Sequence, residues 1–285
     1  MYKIATYLIL IISIFSCRDL VQDQFPEYNK VVINSIFNPD KTLELNISIT
    51  SKVNDTIFKK VENATVKFYK DGQYIENLNY TSEGIYTSTI ILEENHKYSC
   101  DIDVPNYGKY YCEDFLPKKQ IISNIKLTKI AGITDEGEPY SSLILKFNND
   151  MNERKYYQIV INEFEYEESN PVNLALITDP ILISEGLPIL LFSNENIHGN
   201  SYEMTINYQS IFYSNNIPNY HPVQVEFRSI SYNYYQYLKK MYLYQQGLNP
   251  SIETSLTYSN LHSNIEGGLG IFAGYSTWLS DTIVP

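Results

Sequence analysis

Val31-Val32-Ile33-Asn34-Ser35-Ile36-Phe37-Asn38-Pro39-Asp40-Lys41-Thr42-Leu43-Glu44-Leu45-Asn46-Ile47-Ser48-Ile49 decides how this chain folds. Val31, Ile33, Ser35 and Phe37 alternate with the residues between them, and Leu43, Leu45, Ile47 and Ile49 repeat the period of two. Successive side chains of a strand point to opposite faces, so each run gives a strand with one buried and one wet face. Asn38-Pro39-Asp40 is turn chemistry: proline presets φ, and the short polar side chains bond their own backbone.

The same rule carries outward. Ala64, Val66 and Phe68 continue it, Asp71-Gly72 supplies a hairpin turn, and Gly84 precedes Tyr86 and a strand through Leu92. Tyr98, Cys100, Ile102 and Val104 form the next inward set. Roughly seven short strands with turn signals every 8 to 12 residues make 29–117 an immunoglobulin-like or transthyretin-like β-sandwich domain. Ser82-Glu83-Gly84-Ile85-Tyr86 followed by Lys97-Tyr98 resembles the Gly-x-Tyr and later tyrosine of small carboxypeptidase-regulatory-type sandwiches. Cys100 and Cys112 flank the turn signal Pro105-Asn106-Tyr107-Gly108 and would face each other across a hairpin. They are read as a cross-strand disulfide, which persists outside the cytoplasm, or as two unpaired buried thiols.

Pro117-Lys118-Lys119 is the expected boundary of a second β-rich domain, 118–285. An alternating segment runs from Ile121 to Ile130, and Leu143, Leu145 and Phe147 begin a series of strands. Tyr157, Ile159 and Ile161 follow, then Tyr202, Met204, Ile206 and Tyr208, then Val223, Val225, Phe227 and Ser229. Between Glu163 and Pro188 the signals are mixed and read as a long excursion or edge. The period then changes: Tyr234, Leu238, Met241 and Gln245 fall at helical spacing, Ser231 or Asn233 can cap the start, and Gly247 ends a helix of about 232–246. Its aromatic stripe is expected to be core.

Ser263-Asn264-Ile265-Glu266-Gly267-Gly268-Leu269-Gly270-Ile271-Phe272-Ala273-Gly274-Tyr275 is the most unusual stretch of the chain. Its glycines permit positive φ and close backbone approach, while Ile265, Leu269, Ile271 and Phe272 demand burial. A phosphate loop would need Gly-Lys-Ser/Thr and a following helix, and neither is present. The expectation is a glycine-rich turn feeding a closing strand over 263–275 packed against the helix. Its structural positions are Asn264, Gly267, Gly268, Gly270, Phe272 and Gly274.

At the start of the chain, Tyr2-Lys3, the apolar run from Leu8 to Ile12 and Ile14-Phe15-Ser16-Cys17 have the parts of a secretory signal. The last four residues resemble the bacterial lipobox. Residues 1–16 would be removed, and Cys17 would be acylated and become residue one of a palmitate-class lipoprotein, with 17–28 as its tether. A plain signal peptide or a non-cleaved anchor with a chance cysteine is the other reading, and it is disfavoured because the run is too short to span ~30 Å of hydrocarbon. The membrane is then a partner through the lipid.

A net charge of −12 with scattered Lys and Arg argues against a nucleic-acid partner. Tyrosine is abundant at 27 residues, as befits a β-rich protein or an aromatic binding face. His96, His198, His221 and His262 are dispersed, so no metal site is expected. Gly274-Tyr275-Ser276-Thr277-Trp278 lacks the second glycine of a nucleophile elbow. Glu163, Glu165, Glu167 and Glu168 could in principle serve as glycosidase carboxylates but read as a solvated face. No catalytic residue and no cofactor is expected.

Beyond single motifs, several segments resemble one family. These are the lipobox, the early sandwich, Arg228-Ser229-Ile230-Ser231 leading into Tyr234-Tyr235-Gln236-Tyr237-Leu238, Leu191-Phe192-Ser193 to His198-Gly199, and above all Ser263 to Tyr275. Together they resemble the Bacteroidota lipoproteins grouped as domain of unknown function 4249, over essentially the whole chain. The resemblance implies an outer-membrane lipoprotein whose ligand and biochemistry are unassigned, and whose genes often lie beside those of TonB-dependent receptors. A non-catalytic receptor accessory is the expected role, with a surface adhesin or glycan-binding lipoprotein as the alternative. It also makes Asp55-Thr56-Ile57 and Asp281-Thr282-Ile283 similar to the O-glycosylation sites of that phylum.

Overall fold

The computed structural model describes residues 29–51, 59–165, 168–209, 211–214, 217–248 and 260–284. The signal segment, Cys17, its tether and Asp55-Thr56-Ile57 lie outside these residues.

The first part of the chain is a run of strands: β1 (Val31–Phe37), β2 (Thr42–Ile49), β3 (Lys59–Lys60), β4 (Thr65–Lys70), β5 (Gln73–Asn77), β6 (Asn79–Ser82), β7 (Ile85–Ile91), β8 (His96–Val104) and β9 (Gly108–Leu116). That is nine strands where turn spacing suggested about seven, because β3 and β6 are too short to show a period. The second part contains β10 (Ile122–Ile133), β11 (Pro139–Asn148), β12 (Tyr156–Glu165), β13 (Glu168–Pro171), β14 (Asn173–Leu174), α1 (Pro180–Ser184), β15 (Leu191–Ser193), β16 (Ser201–Gln209), β17 (Ile211–Ser214), β18 (Ile217–Tyr220) and β19 (Val223–Ile230). It ends with α2 (Tyr232–Leu248), β20 (Ile265–Glu266) and β21 (Leu269–Leu279). The protein is mostly β, with one substantial helix near its C-terminal end.

The alternating runs pair as their patterns require. β1 and β2 are antiparallel, with Ile33 opposite Ile47. The hairpin residues Asp71 and Gly72 both take positive φ, at 50° and 77°. A ten-stranded sheet runs β13-β12-β19-β21-β1-β2-β7-β6, with β15 added on β12 and β3 on β2. Three further sheets are β20-β9-β8-β4-β5, β10-β11-β16-β14 and the hairpin β17-β18.

The large sheet covers two cores. Over one, Ile33, Phe37, Leu43, Leu45 and Phe272 pack against Phe68, Tyr98 and Ile102 of the five-stranded sheet. Over the other, Tyr157, Ile159, Val225 and Phe227 pack against Leu143, Leu145, Phe147, Met204 and Ile206 of the four-stranded sheet. The boundary placed at Pro117 separates these strand sets, yet β21 belongs to both: it pairs in parallel with β1 and antiparallel with β19. The expectation of a closing strand over 263–275 is corrected accordingly. The strand extends to Leu279 and lies inside the sheet, because its apolar residues are wanted on both faces: Phe272 in the first core, Ile271 and Ala273 under α2.

α2 starts where expected, with the Ser231 Oγ accepting from Tyr234 N at 3.1 Å. It runs through Gly247 to Leu248 instead of stopping, a helical glycine costing only about 1 kcal/mol. Tyr234 and Tyr235 are buried, as the core reading of the stripe required, whereas Gln245 is exposed. The mixed stretch before Pro188 holds a helix the sequence reading did not contain. Asp179 caps α1, accepting from Ile181 N at 3.0 Å, and also accepts from Tyr202 Oη and Thr205 N.

Candidate functional site: the glycine-rich seam and the groove beside it

β21 is staggered between its neighbours. Residues 269–274 pair with β1, while residues 275–279 pair with β19. Along its first half one side therefore lacks a strand, and every buried backbone group there needs another partner. Asn264 supplies two: its Oδ1 accepts from Phe272 N at 2.9 Å and its Nδ2 donates to Phe272 O at 2.7 Å, so the amide imitates the missing strand. The same Nδ2 reaches Glu113 O at 3.1 Å and ties β21 to β9. At Gly274, N–H donates to Asp114 Oδ2 at 3.0 Å and the carbonyl accepts from Ser231 N at 3.0 Å. Beyond it, Ser276 Oγ donates to Pro117 O, holding the segment between the strand sets against the seam.

The glycines are required by closeness. Gly270 has φ +117°, and a Cβ there would lie 2.0 Å from Ile33 O. At Gly274 a Cβ would meet Phe115 O at 2.8 Å and Phe37 Cε2 at 2.9 Å. Gly267 and Gly268 make the turn from β20 over Tyr110. All six residues singled out in the sequence, Asn264, Gly267, Gly268, Gly270, Phe272 and Gly274, thus meet in one structural seam.

Asp114 is the seam's electrostatic centre and was missed in the sequence. The signal was available: it interrupts the inward set Cys112, Asp114, Leu116 of β9 with a carboxylate. Burial pushes its carboxyl up to about 6, against the opposing pull of the Ser231 hydroxyl, the Gly274 and Phe115 N–H groups and the Asn233 amide. Asn233 Nδ2 donates to Asp114 Oδ1 at 3.1 Å, and Asn233 Oδ1 in turn meets His262 Nε2 at 3.0 Å. Burial and then nearby Lys240 hold His262 below the usual histidine range.

On the other face of the same strands, beside α2, lies an open groove. It consists of two adjoining hollows of about 350 and 410 Å³. Asn34, Asn46, Ile85, Tyr237 and Ile271 line the first, Asn38, Lys41, Thr42 and Tyr275 the second, and Ile36 and Glu44 line both. The Asn34 Oδ1 accepts from Ile271 N, Asn38 Nδ2 donates to Tyr275 Oη, and Asn46 Nδ2 donates to Glu83 O.

The remaining candidates are dispersed. Cys100 and Cys112 are register partners on β8 and β9, as their spacing required, but both are free thiols in the core. Their strand positions bring the two thiols together without a covalent bridge, which is the unpaired one of the two readings. Burial raises Cys100 well above the ordinary thiol range and leaves it unreactive. Glu163 and Glu165 lie on β12, opposite Asn170 and Glu168, and burial raises the Glu163 carboxyl above its ordinary range, so it departs from the expected solvated face; Glu167 lies outside the described residues. His96 pairs with Asp71 at 2.6 Å and with Glu93. Among the described residues no three His, Cys, Asp or Glu side chains are grouped to hold a metal. No helix among them is long and apolar enough to cross a membrane. Also missed was Glu185, where Ser193 N, Tyr235 Oη and Lys239 Nζ converge and pin α2 to the β15 side.

A family profile described as a domain of unknown function matches residues 19–278, which includes the whole seam. The chain belongs to the DUF4249 family. No curated protein matches it. The family span begins two residues after Cys17 and closes within β21, so both strand sets and the strand that joins them are one family unit.

Proposed function

We propose that this DUF4249 protein is a Bacteroidota outer-membrane lipoprotein, anchored through Cys17, that acts as a non-catalytic accessory of a TonB-dependent receptor. What supports the docking part of this reading is β10. The other sheet ends are short: β5, β6, β13, β14, β17, β18 and β20 have two to five residues each, whereas β10 has twelve and stands at the end of its sheet opposite β14. Soluble proteins keep edges short because an open edge recruits another strand. β10 pairs regularly with β11 from Asn124 to Thr128, then bulges before pairing resumes at Gly132; Ile130 in the bulge is 55% exposed and Ile133 beyond it 67%. It carries Lys126 and Lys129 and no acidic residue in a chain of net charge −12. An extended acidic segment adding to this edge, with its apolar side chains on Ile130 and Ile133, fits that surface.

The test is capture from the outer membrane in mild detergent. Wild-type protein brings down a receptor barrel, I130D/I133D brings down less than a tenth as much with unchanged circular dichroism, and C17A leaves the membrane fraction. Capture of no receptor by the wild type, or an unacylated mature terminus by mass spectrometry, contradicts the proposal.

A further inference from the structure

We propose that the groove beside α2 is a binding site for a neutral oligosaccharide, one sugar unit to each hollow. This site lies on the ten-stranded sheet, whereas the docking edge belongs to the four-stranded one, so the two stand or fall separately.

The groove sets unused hydrogen-bonding capacity beside an apolar lining. Glu44 lines both hollows, and its carboxylate has no hydrogen-bond or ion-pair partner among the described residues; the same holds for the Lys41 ammonium, the Thr42 hydroxyl and the Tyr237 hydroxyl. The three asparagines each have one side committed to protein and the other open: the amide N of Asn34 and the carbonyl oxygens of Asn38 and Asn46. Donors and acceptors are therefore both open to the groove, which suits a ligand whose every hydroxyl both gives and accepts. Ile36, Ile85 and the buried Ile271 make the lining apolar, and Ile36, shared by the two hollows and 46% exposed, can take the C–H face of a sugar ring. The Tyr275 ring, held by Asn38 and by Arg228 at 5.4 Å, and the Tyr237 ring close the sides.

Charge selects the ligand class. Glu44 and Lys41 cancel, and no second cation lines either hollow, so nothing there favours a phosphate or another anion. Each hollow lies within the range of about 300–1,000 Å³ typical of small-molecule sites. The carboxylate of Glu44, placed between the hollows, can accept two hydroxyls at once. Tyr237 is fixed by α2, and burial raises its hydroxyl above the ordinary tyrosine range, so it serves as a neutral donor.

The test is a microarray of neutral oligosaccharides, followed by calorimetry with the retained compounds. Wild-type protein retains at least one neutral oligosaccharide. E44Q then weakens binding about tenfold or more, since a hydrogen bond to a charged group is lost. Y237F weakens it several-fold, I36R abolishes it by filling the junction of the hollows, and I130D/I133D leaves it unchanged; E44Q and Y237F keep the wild-type melting temperature. An array without retained glycan overturns the proposal. So does unchanged affinity in both E44Q and Y237F, or retention of free amino acids and dipeptides only, which would make Glu44 and Lys41 the two ends of a zwitterion site.

Discussion

The core between β1, β2 and the five-stranded sheet includes Phe272 and Ile265, whereas its other members all lie between Val31 and Leu116. By contrast, the buried residues of the core around Phe147, Tyr157 and Phe227 all lie between Ile122 and Phe227, with Trp278 and Ile283 only packed against its margin. Both are filled by alternating strands, but only one waits for the end of the chain before it can close. A contact of such sequence separation must offset the entropy of closing a long loop before it stabilises anything. The glycine-rich seam concentrates the means to do so in a few residues: a buried ring, two amide hydrogen bonds, a carboxylate and backbones close enough to exclude a Cβ.

The sharpest way to break the contrast is Gly270→Val. With Ile33 O 2.0 Å from the added Cβ and φ at +117°, neither strand can move without unpairing β1 from β21. The expected loss exceeds about 4 kcal/mol and leaves little folded protein, as read by urea denaturation. Phe272→Ala comes next, at about 3–5 kcal/mol for a fully buried ring, and exceeds Trp278→Ala, whose side chain is only partly buried. Equal losses from the two would mean that both cores depend on β21 alike.

Asp114 gives a pH test of the same seam. Its folded carboxyl titrates near 6, above the ordinary 3.8, so the folded protein holds this proton more tightly than the unfolded chain. The resulting stabilisation is complete below pH about 4 and is lost as pH rises through about 6. Its size is of order 3 kcal/mol from a shift of about two units. Stability measured across pH 4 to 7 should therefore fall more steeply in wild type than in Asp114→Asn; parallel curves would remove the buried carboxyl from the account. The smallest effect is chemical. Apart from Cys17, native protein should show no reactive thiol, and denatured, unreduced protein should show two, from Cys100 and Cys112.

What could be read from the sequence followed from local pattern. Val31 to Ile49, Val223 to Ser229 and the helical spacing of Tyr234 and Leu238 each declare their element, because burial imposes a period on adjacent residues. Partnership is not local. Leu269 to Leu279 announces a strand with glycines, but nothing in it says that β1 lies on one side and β19 on the other. α1, five residues long, is too short to show a helical period, and Gly247 looks like a stop although the helix tolerates it. The seam's glycines and Asn264 stood out by composition, whereas Asp114 showed only as one charge in an inward register. The groove left no local trace, since Ile36, Glu44, Tyr237 and Tyr275 come from four separate elements.

Native-state hydrogen exchange on Gly274→Ala tests most directly whether β21 joins the two halves into one structure. Here the added Cβ meets Phe115 O and Phe37, a milder insult than the change at Gly270. Amide protection is expected to fall together in β2, on the far side of β1, and in β19, by the same free energy. Loss confined to β21 and its immediate partners, with β2 as protected as in wild type, would contradict it.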